Sequence, residues 1–251
     1  MYDSLLPFAR TFLFLEETDS TNTELKNRVR AADGPVFEVI AANRQRAGRG
    51  RSGRSFFSPA GGVYFSASYP LCGAEPAPAF LSLLAGLAAA ETLEARCGAP
   101  IRIKWPNDLY LHGKKLAGIL TEFVSEKNTA VMGIGVNLTL SPADLPPELR
   151  ETVTSLAAEG CPLPDRETLV REIAETCDRW VYGENALLRT AGFAERVDAR
   201  SFLTGKRVTR TAGDETVAGT ALRIDPDGAL VLALPDGGER RITFGIIALS
   251  S

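Results

Sequence analysis

Three glycines alternate with three arginines in Gly48-Arg49-Gly50-Arg51-Ser52-Gly53-Arg54-Ser55, the stretch of this sequence whose chemistry is easiest to state. Glycine lets a backbone approach a ligand closely and adopt positive φ. The guanidinium fork takes two phosphate or carboxylate oxygens at once. A loop that alternates the two is built to fold over an anionic ligand. Three other readings compete. Gly48-x4-Gly53-Arg54-Ser55 is one residue from the phosphate-loop pattern GxxxxGK(S/T), with Arg54 in the lysine's place. That loop needs a helix directly after the serine, whereas Phe56-Phe57-Ser58-Pro59 and an apolar run follow here. Arg/Gly runs also occur in disordered RNA-binding tails, but this one is short, unrepeated and wedged between apolar runs. A plain solvated loop is the third reading. Arg44, Arg46, Arg49, Arg51 and Arg54, with no acid between Glu38 and Glu75, count against it.

A second cluster follows. Lys104-Trp105-Pro106-Asn107-Asp108 ends an apolar run, and Lys115-Leu116-Ala117-Gly118-Ile119-Leu120 begins another. Asn107 and Asp108 either make local backbone hydrogen bonds after a rigid proline or present an amide and a carboxylate beside an aromatic. Lys115 is either a solvated gatekeeper at a strand start or a charge aimed at a carboxylate or phosphate. Gly118 falls where a side chain would crowd a ligand. Gly133-Ile134-Gly135-Val136-Asn137-Leu138 adds small residues and one amide, a weak signal alone. His112 is the only histidine, so a multi-histidine metal site is excluded. Its place in a turn gives it a plain surface role.

The whole chain sets limits on partners. It has 251 residues, 45% of them apolar, and 28 Lys or Arg against 31 Asp or Glu, so 28 − 31 = −3. That is a globular composition, and the lack of a basic excess argues against a general nucleic-acid or anionic-membrane binder. The arginine-rich stretch alone carries +5, which leaves −3 − 5 = −8 for the remainder. Four cysteines without a CxxC pair read as reduced thiols. Asp3, Pro7 and Arg10 interrupt any secretory signal, and the apolar stretch Ala79 to Ala90 is short for a bilayer span. A soluble cytoplasmic protein is expected.

Several elements must position these residues. Thr21-Asn22-Thr23-Glu24 has the form of a capping box, which predicts a helix carrying Leu25 and Val29. Strands are predicted over Val36 to Ala42 and Gly62 to Tyr69, then a buried helix from Phe80 to Arg96 closing at Gly98. Ile101 to Trp105, Leu109 to Leu111, Leu116 to Val124 and Ala130 to Leu138 read as strands, with a tight turn at His112-Gly113. Arg166 to Tyr182 reads as a helix, and a further one is predicted from Asn185. After Phe202, short β runs are separated by the turn signals Asp225-Pro226-Asp227-Gly228 and Pro235-Asp236-Gly237-Gly238. This suggests a small β barrel (202–251) appended to an α+β domain (1–201).

Together these segments resemble the biotin protein ligases. The resemblance rests on Ser20-Thr21-Asn22, Gln45-x-x-Gly48-Arg49-Gly50-Arg51-x-Gly53-Arg54, Ser58-Pro59, Lys104-Trp105-Pro106-Asn107-Asp108, Lys115 to Leu120, and Gly133-x-Gly135-x-Asn137. They stand in the family's order over Ser20 to Leu138. The resemblance implies a class II synthetase-like α+β domain, with a mixed and largely antiparallel sheet packed by helices, and an SH3-like C-terminal barrel. The implied activity joins biotin's carboxylate to the α-phosphate of MgATP, forming biotinyl-5′-AMP. A lysine of a biotin carboxyl carrier domain then takes up the biotin.

By the same resemblance Lys115 and Arg49 are the catalytic pair. Ser20, Thr21, Asn22, Gln45, Gly48, Arg49, Lys115 and Gly118 would bind biotin. Arg49, Arg51, Arg54, Phe56, Asn107 and Asn137 would bind ATP. Asp108 would either contact Mg²⁺ or order the surrounding cations. Phe56 falls where the family often has a tryptophan stacking on adenine. The short type of ligase is implied, because Ser20 leaves no room before it for the winged-helix DNA-binding domain of some members. No DNA and no membrane partner is therefore expected, and a homodimer through an exposed sheet edge is within the family's range. The competing functions are a lipoate or octanoate ligase, which shares the acyl-adenylate chemistry, and a nucleic-acid-binding module using the Arg/Gly loop.

Overall fold

The computed structural model describes residues 10–71, 76–183 and 192–250. The strands of the main sheet are β1 (Thr11–Thr18), β2 (Glu38–Gln45), β3 (Gly62–Pro70), β4 (Arg102–Lys104), β5 (Asp108–Leu111), β6 (Lys114–Val124) and β7 (Thr129–Asn137). Across the sheet they run β1-β2-β3-β7-β6-β5-β4. β1 and β2 are parallel and the other pairs antiparallel, so the sheet is mixed as expected. β1 was not foreseen. Its TFLFLEET sequence has no turn residue directly before it, and its pairing with β2 at the sheet edge makes it a strand.

Side chains alternate across each strand, so the two sheet faces can be read from β7. Ala130, Met132, Ile134 and Val136 enter the main core, which α2 (Pro78–Cys97) and α3 (Arg166–Tyr182) cover. Val131 points the other way, into a small cluster with Leu25 and Val29 of α1 (Thr21–Ala31) and with Ile40 and Val124. Gly133 and Gly135 share that second face beyond the end of α1. One face is therefore core, and the other is half covered by α1 and half open.

α2 spans 20 residues and is buried over most of its length, closing at Gly98 in the left-handed region with φ of 65°. The helix is longer than the apolar stretch Ala79 to Ala90, and by length and composition it could cross a bilayer. Its packing says otherwise: 67% of its apolar window lies inside the protein, against the sheet and α3. The helix predicted from Asn185 falls on residues 184–191, outside the described residues; the described helix there, α4, is Gly192–Asp198. Cys97, Cys161 and Cys177 are free thiols, and Cys72 lies outside the described residues.

Beyond Phe202 a five-stranded antiparallel sheet forms the small barrel. Its strands are β8 (Arg207–Ala212), β9 (Glu215–Ile224), β10 (Leu230–Ala233), β11 (Glu239–Ile242) and β12 (Ile246–Leu249), in the order β11-β10-β9-β8-β12. Both predicted turns are there: Gly228 N donates to Asp225 O at 2.8 Å, and Gly237 N to Leu234 O at 3.1 Å. The first of them meets the main domain. Trp105 is 4% exposed in the core, and its indole Nε1 donates to Gly228 O at 2.9 Å. Trp105 is thus a packing residue that ties the barrel to the end of β4, and it does not line the cavity described below.

Candidate active site

The open half of the second face is organised in rows across the strands. Lys104 pairs with Asp108, Asp108 with Gly118, Gly118 with Gly135, and Gly135 with Tyr64. Residues opposite one another in a ladder share a face, so this row places a carboxylate, two glycines and an aromatic side by side. In a second row Leu120 pairs with Gly133, and Gly133 with Ser66. A cavity of about 310 Å³ lies over both rows, within the size range of small-molecule sites. Of the residues expected at the site, Ser20, Thr21, Asn22, Gln45, Arg49, Arg51, Arg54, Phe56, Asn107, Asp108, Lys115 and Gly118 line it.

A β-bulge brings Lys115 to this face. Leu109 pairs with Ala117 but Tyr110 with Lys115, so Leu116 is an extra residue in β6. Without it the alternation would put Leu116 beside Gly118 and send Lys115 into the core. With it Leu116 is fully buried in the core and Lys115 reaches the cavity, a use of a bulge to re-aim side chains. Lys115 Nζ stands 2.7 Å from Asp108 Oδ1. The charges touch, but the angle is not that of a hydrogen bond, and this buried oxygen has no hydrogen-bond partner among the described residues.

The Arg/Gly segment folds over the cavity as a tight loop. Gly50 N donates to Arg54 O at 2.7 Å and Phe56 N to Gly48 O at 2.8 Å, while Ser52 and Gly53 adopt φ of 55° and 74°. Extended chain follows where a phosphate loop would start a helix. Two of the five arginines are spent elsewhere: Arg44 pairs with Glu17, and Arg46 with Glu17 and Asp19. The other three surround the cavity. Arg51 Nη1 donates to Asn107 Oδ1 at 3.2 Å, and Nη2 to Gly245 O of the barrel at 3.3 Å. Arg54 Nε donates to Arg51 O at 3.4 Å, within the loop. Arg49 Nη2 lies 3.7 Å from Glu122 Oε1.

This end of the cavity is crowded with positive charge. Burial lowers the pKa of the Arg51 guanidinium, and Asp108 opposes that shift. Burial lowers Lys104 in the same way; Asp108 raises it, and Lys115 and Arg54 push it further down. Several cations thus depend on Asp108, the one carboxylate among the lining residues. An anionic ligand would relieve their mutual repulsion.

The opposite end is lined by uncharged polar groups, with the Glu122 carboxylate and Lys26 behind them. Ser20 caps α1, its hydroxyl accepting from Thr23 N at 3.5 Å. Thr21 N donates to Gln45 Oε1 at 2.9 Å, the Thr21 and Ser66 hydroxyls share a hydrogen bond at 2.7 Å, and Gln45 Nε2 donates to Ser58 Oγ at 3.0 Å. The Asn22 amide is fully engaged. Its Nδ2 donates to Leu120 O and Glu122 Oε2, at 3.1 and 2.9 Å, and its Oδ1 accepts from Ser66 at 2.5 Å.

Two expected residues sit differently. Gly48 does not line the cavity: a Cβ there would meet Phe56 O and Ser58 Oγ, each at 2.4 Å, so its task is to let the loop close on itself. Gly48→Ala is expected to weaken binding of an anionic ligand in the cavity about tenfold or more while lowering Tm by no more than about 5 °C, because the clash is confined to the contacts that close this loop on itself. A ligand titration and a thermal melt measure both. Asn137 is buried, and its Nδ2 donates to Thr154 O at 2.9 Å. It lines a smaller adjoining cavity with Phe56, Lys115, Leu140, Leu145, Leu149 and Val153.

The far edge of the Phe56 ring sits over the glycine pair. Added Cβ atoms would come within 2.9 Å of its ring at Gly118 and 2.6 Å at Gly135, and Lys115 Nζ lies 5.6 Å from the ring centre. Ser66, Tyr64, Glu122 and Lys26 were not singled out from sequence, and Lys104 was quoted only as part of its motif. The strand period could have found Glu122, which shares its face with Gly118 and Leu120. His112, half exposed in its turn, pairs with Glu159 at 2.6 Å and takes no part in the site.

With the geometry in hand, comparisons place the chain among known proteins. The biotin/lipoate A/B protein ligase family matches residues 14–138, and the biotin protein ligase C-terminal domain matches 203–250. The biotin–acetyl-CoA-carboxylase ligase of Paracoccus denitrificans is 34% identical over 90% of this chain and 95% of its own length. The bifunctional ligase/repressor BirA of Bacillus subtilis is 33% identical over 89% of this chain and 68% of its own. The biotin protein ligase of Aquifex aeolicus, solved with biotin and ATP, superposes with a TM-score of 0.77 at 26% identity, covering 96% of this chain and 98% of that one. The glycine floor, the arginine loop and the bulged lysine thus belong to a ligase scaffold, and the chain is a member of the biotin protein ligases within the biotin/lipoate A/B protein ligase family.

Proposed function

We propose that the protein joins biotin to a specific lysine of a biotin carboxyl carrier domain in two steps through biotinyl-5′-AMP. The observation that carries this reading is the polarity of one cavity, neutral hydrogen-bonding groups at one end and crowded cations at the other. Biotin has the matching form, an uncharged ureido ring and a carboxylate on a short chain. Ser20, Thr21 and Gln45 would face the ring, with Asn22 holding the wall behind them. Lys115 and Arg49 would take the carboxylate and the α-phosphate, and Arg51 and Arg54 the remaining phosphate charge. The adjoining cavity with Asn137 and Phe56 would accept the base.

In the first step a carboxylate oxygen attacks the α-phosphorus, the bond to the β-phosphate oxygen breaks, and pyrophosphate leaves. Two anions must approach, and pre-placed cations stabilise the charge that builds up. In the second step a carrier lysine amine attacks the anhydride carbonyl, and AMP departs. Mg²⁺ fits this site only as an ion brought by ATP. No group of three His, Cys, Asp or Glu residues stands ready for a metal among the described residues. A Mg²⁺ ion bound by one carboxylate together with ATP is an ordinary arrangement; Asp108, the one carboxylate lining the cavity, would either hold it or order the surrounding cations. The ion would neutralise phosphate charge.

The polar end also bears on lipoate, the nearest alternative substrate. A dithiolane ring offers no partner for Thr21, Gln45 and Ser20, which would be desolvated without compensation. The match of the C-terminal domain favours biotin too. We also infer a division into a catalytic domain 1–201 and a barrel 202–251, a cytoplasmic location, and no DNA or membrane partner, in keeping with the net charge of −3. The deciding measurement is pyrophosphate exchange with MgATP and either biotin or lipoate. Exchange with biotin alone is the expected result. Absence of exchange with biotin would sink the proposal.

A further inference from the structure

Glu122 stands beside the cavity wall, two residues beyond Leu120 on the same face of β6. Its Oε1 accepts from Lys26 Nζ at 2.6 Å, and its Oε2 from Asn22 Nδ2 at 2.9 Å. Arg49 Nη2 lies 3.7 Å from the oxygen that Lys26 already holds. Burial raises the Glu122 pKa, but the hydrogen bonds from Lys26 and Asn22 prevail, and the carboxyl sits below its ordinary range. Lys26 is 9% exposed, whereas the Arg49 side chain is 52% exposed.

The strengths of these contacts differ. The Lys26 contact is short and nearly buried. The Arg49 contact is a long, exposed ion pair of the kind that contributes little. Arg51 and Arg54 each make hydrogen bonds that would have to break before they could move. Arg49 is therefore the arginine of this loop most easily transferred to an incoming anion. Its departure would ordinarily strand a half-buried carboxylate, which is costly. Lys26 removes that cost, because it stays bound to the same oxygen.

We propose that Glu122 is a positioning residue that parks Arg49 in the ligand-free protein and releases it to the ligand, with Lys26 as the counter-charge that makes release easy. The inference rests on the ligase reading only for the identity of that ligand. Asn22 belongs to the same arrangement, since Glu122 also fixes its amide.

Lys26→Met, Glu122→Gln and the double variant test this in the full chain. Without Lys26, Glu122 has Arg49 as its only cation among the described residues, so fewer molecules have Arg49 free to bind. The KM for biotin in pyrophosphate exchange is expected to rise about tenfold in Lys26→Met, with a smaller change in kcat, because apparent affinity scales with the competent fraction. Adding Glu122→Gln should bring it back towards the wild-type value. The amide in Glu122→Gln would keep an oxygen for Asn22, and circular dichroism with a thermal melt checks folding. Lys26→Gln replaces Lys26→Met if that variant does not fold.

A merely structural pair predicts the opposite, a double variant at least as impaired as Lys26→Met, and that result would overturn the proposal. Tryptic cleavage after Arg49 in ligand-free protein, followed by mass spectrometry, gives a second readout. It should slow in Lys26→Met and quicken in Glu122→Gln, and equal rates in all the proteins would also overturn the proposal. Proteolysis needs no substrate. It decides the role of Glu122 even if the wild type shows no exchange with biotin, an outcome that counts against the ligase reading instead.

Discussion

Replacing Lys115 by alanine is expected to slow biotin-dependent pyrophosphate exchange by about 100- to 1,000-fold, the range seen when one pre-placed group that stabilises transition-state charge is removed. The expectation follows from where the bulge at Leu116 puts the ammonium group. It lies over the glycine row, 2.7 Å from Asp108 and against Phe56, at the boundary between the two adjoining cavities. The proposed reaction would bring the carboxylate and the α-phosphate together at this point. Lys115→Ala also leaves Asp108 Oδ1, already without a hydrogen bond, with no cation in contact. A stability loss of about 1 kcal/mol is expected from that, discounted because both side chains keep some solvent.

The double variant Asp108→Asn/Lys115→Ala separates the two effects. It should recover the stability by denaturant titration and leave exchange as slow as in Lys115→Ala. Recovery of exchange together with stability would mean that Lys115 only neutralises Asp108 and does not act on the ligand. Lys115→Arg is expected to retain part of the activity, because the charge survives while its geometry changes.

The legible part of this site is the part that lies close together in sequence. The helix start, though it is capped by Ser20 and not by the expected box at Thr21, the glycines at 118, 133 and 135, and the β runs that became β3 and β7 each lie within a few residues of chain and were readable from local sequence. The arginine loop was readable as chemistry but not as charge. The stretch between Glu38 and Glu75 counts +5, yet Glu17 and Asp19 take up Arg44 and Arg46 from the neighbouring strand end. What faces the cavity is Arg49, Arg51 and Arg54. Sequence separation hid those acids; Glu122 could have been reached by the period of β6, but not its pairing with Arg49 and Lys26.

Lys115 shows a second kind of loss. Strict alternation would send it inward, and only the extra residue at Leu116, visible in the pairing with β5, reverses that. Asn137 was expected at the nucleotide; it lines the adjoining cavity, with its Nδ2 donating to the Thr154 carbonyl. The segment carrying Thr154 had no sequence signal of its own. β1 escaped because a strand at the edge, paired on one side, needs no turn residues to delimit it. The barrel, by contrast, announced itself through its two Asp-Gly turns, since those positions need positive φ at Gly228 and Gly237.

The glycine floor gives the other large effect. Gly118 and Gly135 lie opposite each other on β6 and β7, and the Phe56 ring rests on both. A Cβ at Gly135 would stand 2.6 Å from Phe56 Cε1 and 3.3 Å from Tyr64 Cδ1. Gly135→Val must therefore expel the ring and fill cavity space with its own methyl groups. A cost of about 1–3 kcal/mol in stability is expected from the overpacking. Exchange activity at fixed substrate should fall by about 100-fold or more, since a small displacement at the reacting atoms is enough for that. Phe56→Ala in the same background tells the two consequences apart. It removes the clash, so stability should return towards wild type, but the valine still occupies the floor and activity should stay low. If the double variant regained activity along with stability, the glycines would be making room for Phe56 alone, and the ligand would have to sit elsewhere in the cavity.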